Sequence, residues 1–220
     1  MSDAFDVMYL FAGETAESSL KNLAKNAYHA TAVNSPTFSQ FEGFTRSSST
    51  SYINTNFNLA TNALKYELNS CSYGHYIRTN SALDASDGGI VSGGNRTFTQ
   101  IRRATNNAII IDTNQGSTGN TKNNLVSDST GFFITSRRSN ILTDVYKNKS
   151  IITTDNISSS VLPNGYVFIL GINLNGTIGL SSTRQQSFFF MSKVLSSSDI
   201  TALTNAIESY MDSNGKGVIA

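Results

Sequence analysis

The feature that most constrains this chain is how soon every apolar run is interrupted. Eleven runs of four to eight residues, rich in β-branched and aromatic side chains, alternate with turns of Gly, Asn and Ser. The runs are Val7–Phe11, Tyr52–Phe57, Leu64–Leu68, His75–Thr79, Phe98–Arg103, Ala108–Asp112, Gly131–Ser136, Leu142–Lys147, Ser150–Thr154, Tyr166–Ile172 and Phe188–Lys193. Side chains of this kind suit a pleated, half-buried surface. Asp87-Gly88-Gly89, Gly93-Gly94-Asn95, Asn114-Gln115-Gly116, Asn164-Gly165 and Asn175-Gly176 supply what tight turns need. Asn148 between Tyr146-Lys147 and Lys149–Ile152 predicts a tight hairpin. Tyr166–Ile172 and Phe188–Met191 lack alternation, as strands covered on both faces do.

One segment escapes this punctuation. Ile200, Leu203, Ile207, Tyr210 and Met211 form an apolar stripe at helical spacing, predicting a helix over 196–214. Ser196 to Ser198 offer N-caps, Asp199 suits the first turn, and Gly215 supplies the stop. A weaker helical turn is expected over Ala16–Ala24, and a long loop-like insertion over Gly116–Asp128. The expected fold is all-β: a two-sheet antiparallel jelly-roll sandwich over 1–220, with one C-terminal helix covering a sheet edge or an end. Residues 1–12 are expected to serve as a docking segment or an edge strand.

Composition narrows the function. Ser, Thr and Asn make up about a third of the chain while charged residues are only 14%. Sixteen basic against fifteen acidic residues give a net charge of +1, without the basic stripe that nucleic-acid binding needs. Apolar runs fall far short of a membrane span, and the acidic N-terminus does not read as a secretory signal. A lone cysteine, Cys71, excludes an internal disulfide; with only His29 and His75 beside it, no four-ligand Cys/His zinc site can form. Synthesis in a reducing cytoplasm is expected.

Four motifs follow one another in a familiar order: Tyr9-Leu10-Phe11 before Leu23–Ala27, then Phe41-Glu42-Gly43-Phe44 before Ser51-Tyr52-Ile53. Arg137 before Leu142–Tyr146 with Asn148 in the turn comes third, and Phe188–Leu195 running into Ser196–Leu203 comes last. This order resembles the LamG-like (concanavalin A-like) jelly-roll lectin and glucanase superfamily over nearly the whole chain. The first motif lacks the family's acid and glycines, and Lys149 stands where Gly is usual. The resemblance implies a curved β-sandwich that hosts both sugar-binding modules and glycosidases, so the site must decide between them.

No acid array of the retaining-glucanase kind exists. Asp84 and Asp87 lie three apart in a Gly-rich loop, and Asp112, Asp128, Asp144 and Asp155 stand alone. Ser70, Cys71 and His75 are sequence neighbours, which rarely meet with triad geometry. No catalytic residue is therefore expected. Asp84, Asp87 and Asp112, with Asn114, are the candidate oxygen ligands should calcium bind; no other cofactor is expected. The best glycan-binding set is Tyr73, Tyr76, Arg78, Asn114 and Arg137, since aromatic plates with amide and guanidinium donors suit sugars. In each doublet, Arg102-Arg103 and Arg137-Arg138, one guanidinium should point outward and one inward, towards a buried acid.

These readings converge on a non-enzymatic binding or assembly protein, for which an uncharged polar surface is apt. A bacteriophage virion protein fits: a decoration protein, head fibre or tail adhesin made in the host cytoplasm. Its expected partners are other virion proteins, further copies of itself in a homo-oligomer taken as a trimer, and host-surface glycans, with no nucleic acid and no membrane insertion. A bacterial carbohydrate-binding module or adhesin domain is the alternative, and a glycoside hydrolase ranks third.

Overall fold

A computed structural model describes residues 2–116 and 120–219. In chain order the strands are β1 (Phe5–Leu10), β2 (Thr31–Val33), β3 (Thr37–Ser39), β4 (Gly43–Thr45), β5 (Tyr52–Asn58), β6 (Cys71–Ile77), β7 (Gly88–Ser92), β8 (Asn95–Gln100) and β9 (Ile109–Gln115). They continue with β10 (Thr121–Lys122), β11 (Gly131–Arg137), β12 (Thr143–Lys147), β13 (Ser150–Asp155), β14 (Tyr166–Ile169), β15 (Ile172–Leu174), β16 (Thr177–Gly179) and β17 (Gln186–Ser192). Helices are α1 (Ala16–Ser19), α2 (Leu59–Asn62) and α3 (Ser197–Ser213).

Two sheets form a jelly-roll-like sandwich. The first runs β13-β12-β11-β6-β17-β4-β3 with β1 also on β17; the second runs β10-β9-β8-β7-β14-β5-β2 with β15 and β16 attached through β7. Named-strand pairings are antiparallel except for β15 on β7. Val7, Tyr9, Tyr73, Phe189 and Met191 of the first sheet meet Ile53, Phe57, Ile90, Val167 and Ile169 of the second in the principal core. Polar atoms inside it are paired: the Tyr9 hydroxyl lies 2.6 Å from the Tyr28 carbonyl oxygen, and the Tyr73 hydroxyl 3.0 Å from that of Asp112.

The helix forms where its stripe predicts but lies elsewhere on the sandwich. Ile200, Leu203 and Met211 pack on the outer face of the first sheet, against Tyr76, Phe132, Ile134, Phe188 and Phe190. This corrects the expected position at an edge or end. It also explains why 188–191 reads as a continuous apolar run: Phe189 and Met191 face the second sheet while Phe188 and Phe190 face α3. The start of α3 is a capping box, with Asp199 N–H donating to Ser196 Oγ and Ser196 N–H to the Asp199 carboxylate. These bonds hold the Asp199 carboxyl below its ordinary range. Ser196→Ala should cost about 1 kcal/mol in urea unfolding. Because the carboxyl is lowered, its contribution is present above the ordinary aspartate range and fades as pH falls through the lowered value.

Three local expectations change. Leu64–Leu68 is no strand, because buried Asp6 takes the N–H groups of Leu64, Lys65 and Tyr66 at 3.1, 2.9 and 2.8 Å and bends the segment round itself. The helical turn stops at Ser19, where Leu20 caps it. Tyr166–Ile172 breaks at Leu170, whose φ of 68° turns the chain out of β14 before β15 begins. The insertion over Gly116–Asp128 contains β10; its residues 117–119 lie outside the described residues.

Candidate functional site

The aromatic and guanidinium set chosen from the sequence does not reach solvent as a unit. Tyr73 and Tyr76 are buried because β6 has the second sheet on one face and α3 on the other, and Asn114 of β9 and Arg137 of β11 are buried as well. Tyr76 donates a 2.5 Å hydrogen bond to Glu208 of α3. Asn114 accepts from Tyr66 and donates to the Leu68 carbonyl. Arg137 gives its guanidinium to the carbonyls of Thr113, Ser139, Asn140 and Ile157, so the inward arginine meets backbone oxygens and no acid. Arg138 points outward to Asp144 at 2.8 Å. Arg102 and Arg103 follow the end of β8 and are both partly exposed. Arg78 is partly buried, between Glu42 and the Lys216 carbonyl. Each of the five residues in the expected glycan set is engaged by contacts within the fold.

The three aspartates are likewise separated and engaged. Asp87 is fully buried against Arg184, with further bonds from Ser182 Oγ and the Ile101 N–H. Asp84 meets Arg103 at 2.9 Å on the surface. Asp112 faces Arg96 at 3.5 Å and accepts from the Asn120 N–H; burial raises its carboxyl above the ordinary range. Each has an arginine beside it, and the three do not come together as one set of oxygen ligands. Among the described residues no three His, Cys, Asp or Glu side chains cluster. Cys71 and His75 share the inward face of β6 but make separate bonds, to Asn114 and Gln186. Burial pushes the Cys71 thiol up to about 12 and lowers the His75 imidazole, so neither is poised as an ion pair would be.

An accessible site lies instead where the second sheet forks. One side of β7 is shared: Phe168 and Ile169 of β14 pair with Gly89 and Gly88, while Asn173 and Leu174 of β15 pair with Ile90 and Val91. The two strands therefore diverge from the same edge and leave a groove of about 340 Å³ between them. Ile90 and Ser92 line it from β7, Asn164, Gly165 and Tyr166 from the start of β14, and Asn173, Asn175 and Gly176 from β15 and its turn. That volume is within the roughly 300–1,000 Å³ of small-ligand pockets.

Asparagines hold the fork open. Asn173 Nδ2 donates to the Tyr166 carbonyl at 2.7 Å, and its Oδ1 accepts from the Gly176 N–H at 2.6 Å. Asn175 Oδ1 accepts from the Gly93 N–H at 3.1 Å, tying the β15–β16 turn to the β7–β8 turn. Asn58 accepts from the Gly165 N–H at 3.1 Å and donates to Asn164 Oδ1 at 3.0 Å. Glycine suits position 165: a Cβ would lie 2.8 Å from Ile90 Cδ1 and have to displace it, at a φ of 154° that L side chains rarely adopt. Tyr166 is 47% exposed, an aromatic side chain presented beside fixed amides. Among the described residues no charged side chain lines the groove. Such a surface offers an apolar plate with hydroxyl and amide groups around it.

Sequence reasoning missed these residues because Asn164-Gly165 and Asn175-Gly176 were accounted for as turns. The signal was an aromatic residue directly after an Asn-Gly step, at a strand's first position. A larger cleft of about 390 Å³ runs past Arg138, Asp144, Tyr146, Lys193 and the start of α3. Its Arg138 and Asp144 pair with each other and Asp199 is held by Ser196, so it is lined by charged groups where the groove at Tyr166 is lined by amides.

No protein-family model matches the sequence, and no curated protein matches it either. Solved structures do share its fold. The receptor binding domain of botulinum neurotoxin D superposes with a TM-score of 0.66 at 16% identity, covering 93% of this chain and 53% of that one. The receptor binding domain of the C/D mosaic serotype gives 0.64 at 17%, covering 94% and 52%. The serotype D ligand binding domain in complex with N-acetylneuraminic acid gives 0.60 at 18%, covering 94% and 52%. This chain spans about half the length of those chains. The shared architecture is a two-sheet β-sandwich.

Proposed function

We propose that this chain is a non-enzymatic, lectin-like domain that binds neutral glycans in the groove at Tyr166, and that it serves on a bacteriophage particle as a decoration protein or adhesin. The observation that carries the reading is the fork itself. An exposed tyrosine stands beside Asn164, Asn173 and Asn175, whose positions are fixed by bonds to the backbone or to Asn58. Sugar recognition needs an apolar face against the pyranose ring and directional amides for its hydroxyls. Preorganised amides lower the ordering cost of binding. Absence of Arg and Lys from the lining favours uncharged sugars over acidic ones. The fold shared with a toxin domain solved with N-acetylneuraminic acid supports sugars as the ligand class, while the preference for neutral ones rests on the lining alone.

The non-enzymatic part of the reading rests on where the acids are: Asp87, Asp112 and Asp144 each face an arginine, outside the groove. The particle role rests on the composition, in which Ser, Thr and Asn supply hydrogen bonds with little charge. A bacterial carbohydrate-binding module would use the same groove; mass spectrometry of purified phage particles separates the two, since only the virion protein is recovered there. A glycan array carrying neutral and sialylated sugars tests the binding itself. Neutral oligosaccharides should be retained, and Tyr166→Ala should weaken them at least about tenfold, or 1.4 kcal/mol. Retention that ignores the Tyr166 substitution would place the site elsewhere.

A further inference from the structure

We infer that the groove at Tyr166 selects sugars carrying an acetamido group, because its asparagines face the ligand as hydrogen-bond donors. This inference rests on the glycan reading above and narrows it to N-acetylhexosamines.

The backbone dictates which way each amide points. A backbone N–H can only donate, so the side-chain atom that meets it is the oxygen. Gly93 N–H fixes Asn175 in this way and Gly176 N–H fixes Asn173, at 3.1 and 2.6 Å. Asn58 is fixed by two such donors, the N–H groups of Gly165 at 3.1 Å and Ala60 at 3.0 Å. Its nitrogen is left to donate to Asn164, which turns the Asn164 oxygen towards the protein as well, at 3.0 Å.

All three groove asparagines therefore direct their oxygens into the fold, and nitrogen is what remains. Among the described residues nothing accepts from Asn164 Nδ2 or Asn175 Nδ2, and both residues are exposed. Asn173 Nδ2 gives one hydrogen to the Tyr166 carbonyl and keeps its second. The hydroxyls of Ser92 and Tyr166 can donate or accept, so the amides set the polarity of the groove.

A sugar hydroxyl that accepts from these amides still has its own proton to place, where each amide oxygen already accepts a bond. An acetamido carbonyl has no proton to place and offers two lone pairs to the same donors. Its methyl end is apolar, and the floor suits it: Gly165 has no side chain, and buried Ile90 lies beneath it. A carboxylate is likewise an acceptor only, but among the described residues no cation lines the groove to offset its desolvation.

Calorimetric titration of the full chain with chitotriose and with cellotriose tests this. The two trisaccharides share ring and linkage, and differ in carrying an acetamido group or a hydroxyl on the second carbon of each ring. Chitotriose is expected to bind at least about tenfold more tightly. Asn164→Asp with Asn175→Asp keeps an oxygen towards Asn58 and the Gly93 N–H while replacing both free donors by acceptors. The double variant should keep the melting curve and lose the preference. Equal affinity for the two sugars, a preference for cellotriose, or a preference for chitotriose that survives the double variant overturns the inference and leaves the groove a sugar site. Binding of neither trisaccharide removes the glycan reading, and this inference with it.

Discussion

Replacing Arg184 by methionine is expected to lower stability by about 3–5 kcal/mol, on the order of 10 °C in melting temperature for a chain of this size. Arg184 and Asp87 are both fully buried, and the guanidinium bonds both carboxylate oxygens at 2.8 and 2.9 Å. Arg184 also donates to the Ser81 carbonyl at 3.1 Å and to that of Arg102. Methionine keeps most of the length and leaves Asp87 as an uncompensated charge in the interior. That stranded charge, more than the lost attraction, sets the cost. Asp87→Leu on its own should be similarly damaging, because it strands the arginine. Together the two changes should cost less than the sum of the single ones, and urea unfolding of the double-mutant cycle measures the difference.

Phe190→Ala should cost about 3–5 kcal/mol by a different route, the loss of a large ring and the cavity it leaves. Phe190 is fully buried, with Phe5 edge-on at 5.5 Å and Phe132 at 6.0 Å between ring centroids. It lies over Gly74, where a Cβ would come within 2.8 Å of Phe190 Cε1; the glycine lets the ring sit down on the sheet. The same cluster includes Ile200, Leu203 and Met211 of α3. Loosening should therefore be largest in the helix: its amides are expected to exchange sooner than those of β6. Equal loosening of both would mean that α3 is held by something other than this ring cluster.

How much of this was legible in the sequence depended on range. α3 was readable to within a residue or so because its stripe, cap and stop are all local. The β12–β13 hairpin was readable from Asn148, whose φ of 58° suits a two-residue turn. Placement of α3 on a face was not, since it depends on Phe188 and Phe190 meeting residues that are remote in sequence. The bend at Leu64–Tyr66 was hidden for the same reason: Asp6, nearly sixty residues away, takes its amides. Tyr73 and Tyr76 read as sugar plates in the sequence because aromatic rings with Arg78, Asn114 and Arg137 as donors suit sugars. Strand alternation placed them on opposite faces, and both faces proved to be covered. Tyr166 lacked such company in the sequence, and its groove exists only because β14 and β15 share one edge of β7.

The central claim, that the forked sheet makes a sugar-binding groove, is tested most directly by titrating the isotope-labelled protein with neutral oligosaccharides and following its amide resonances. Saturable shifts should concentrate on the side-chain amides of Asn164, Asn173 and Asn175 and the backbone of Gly165 and Tyr166, and vanish in Tyr166→Ala. Flat spectra at millimolar sugar, or shifts centred on Arg138 and Lys193, would contradict it.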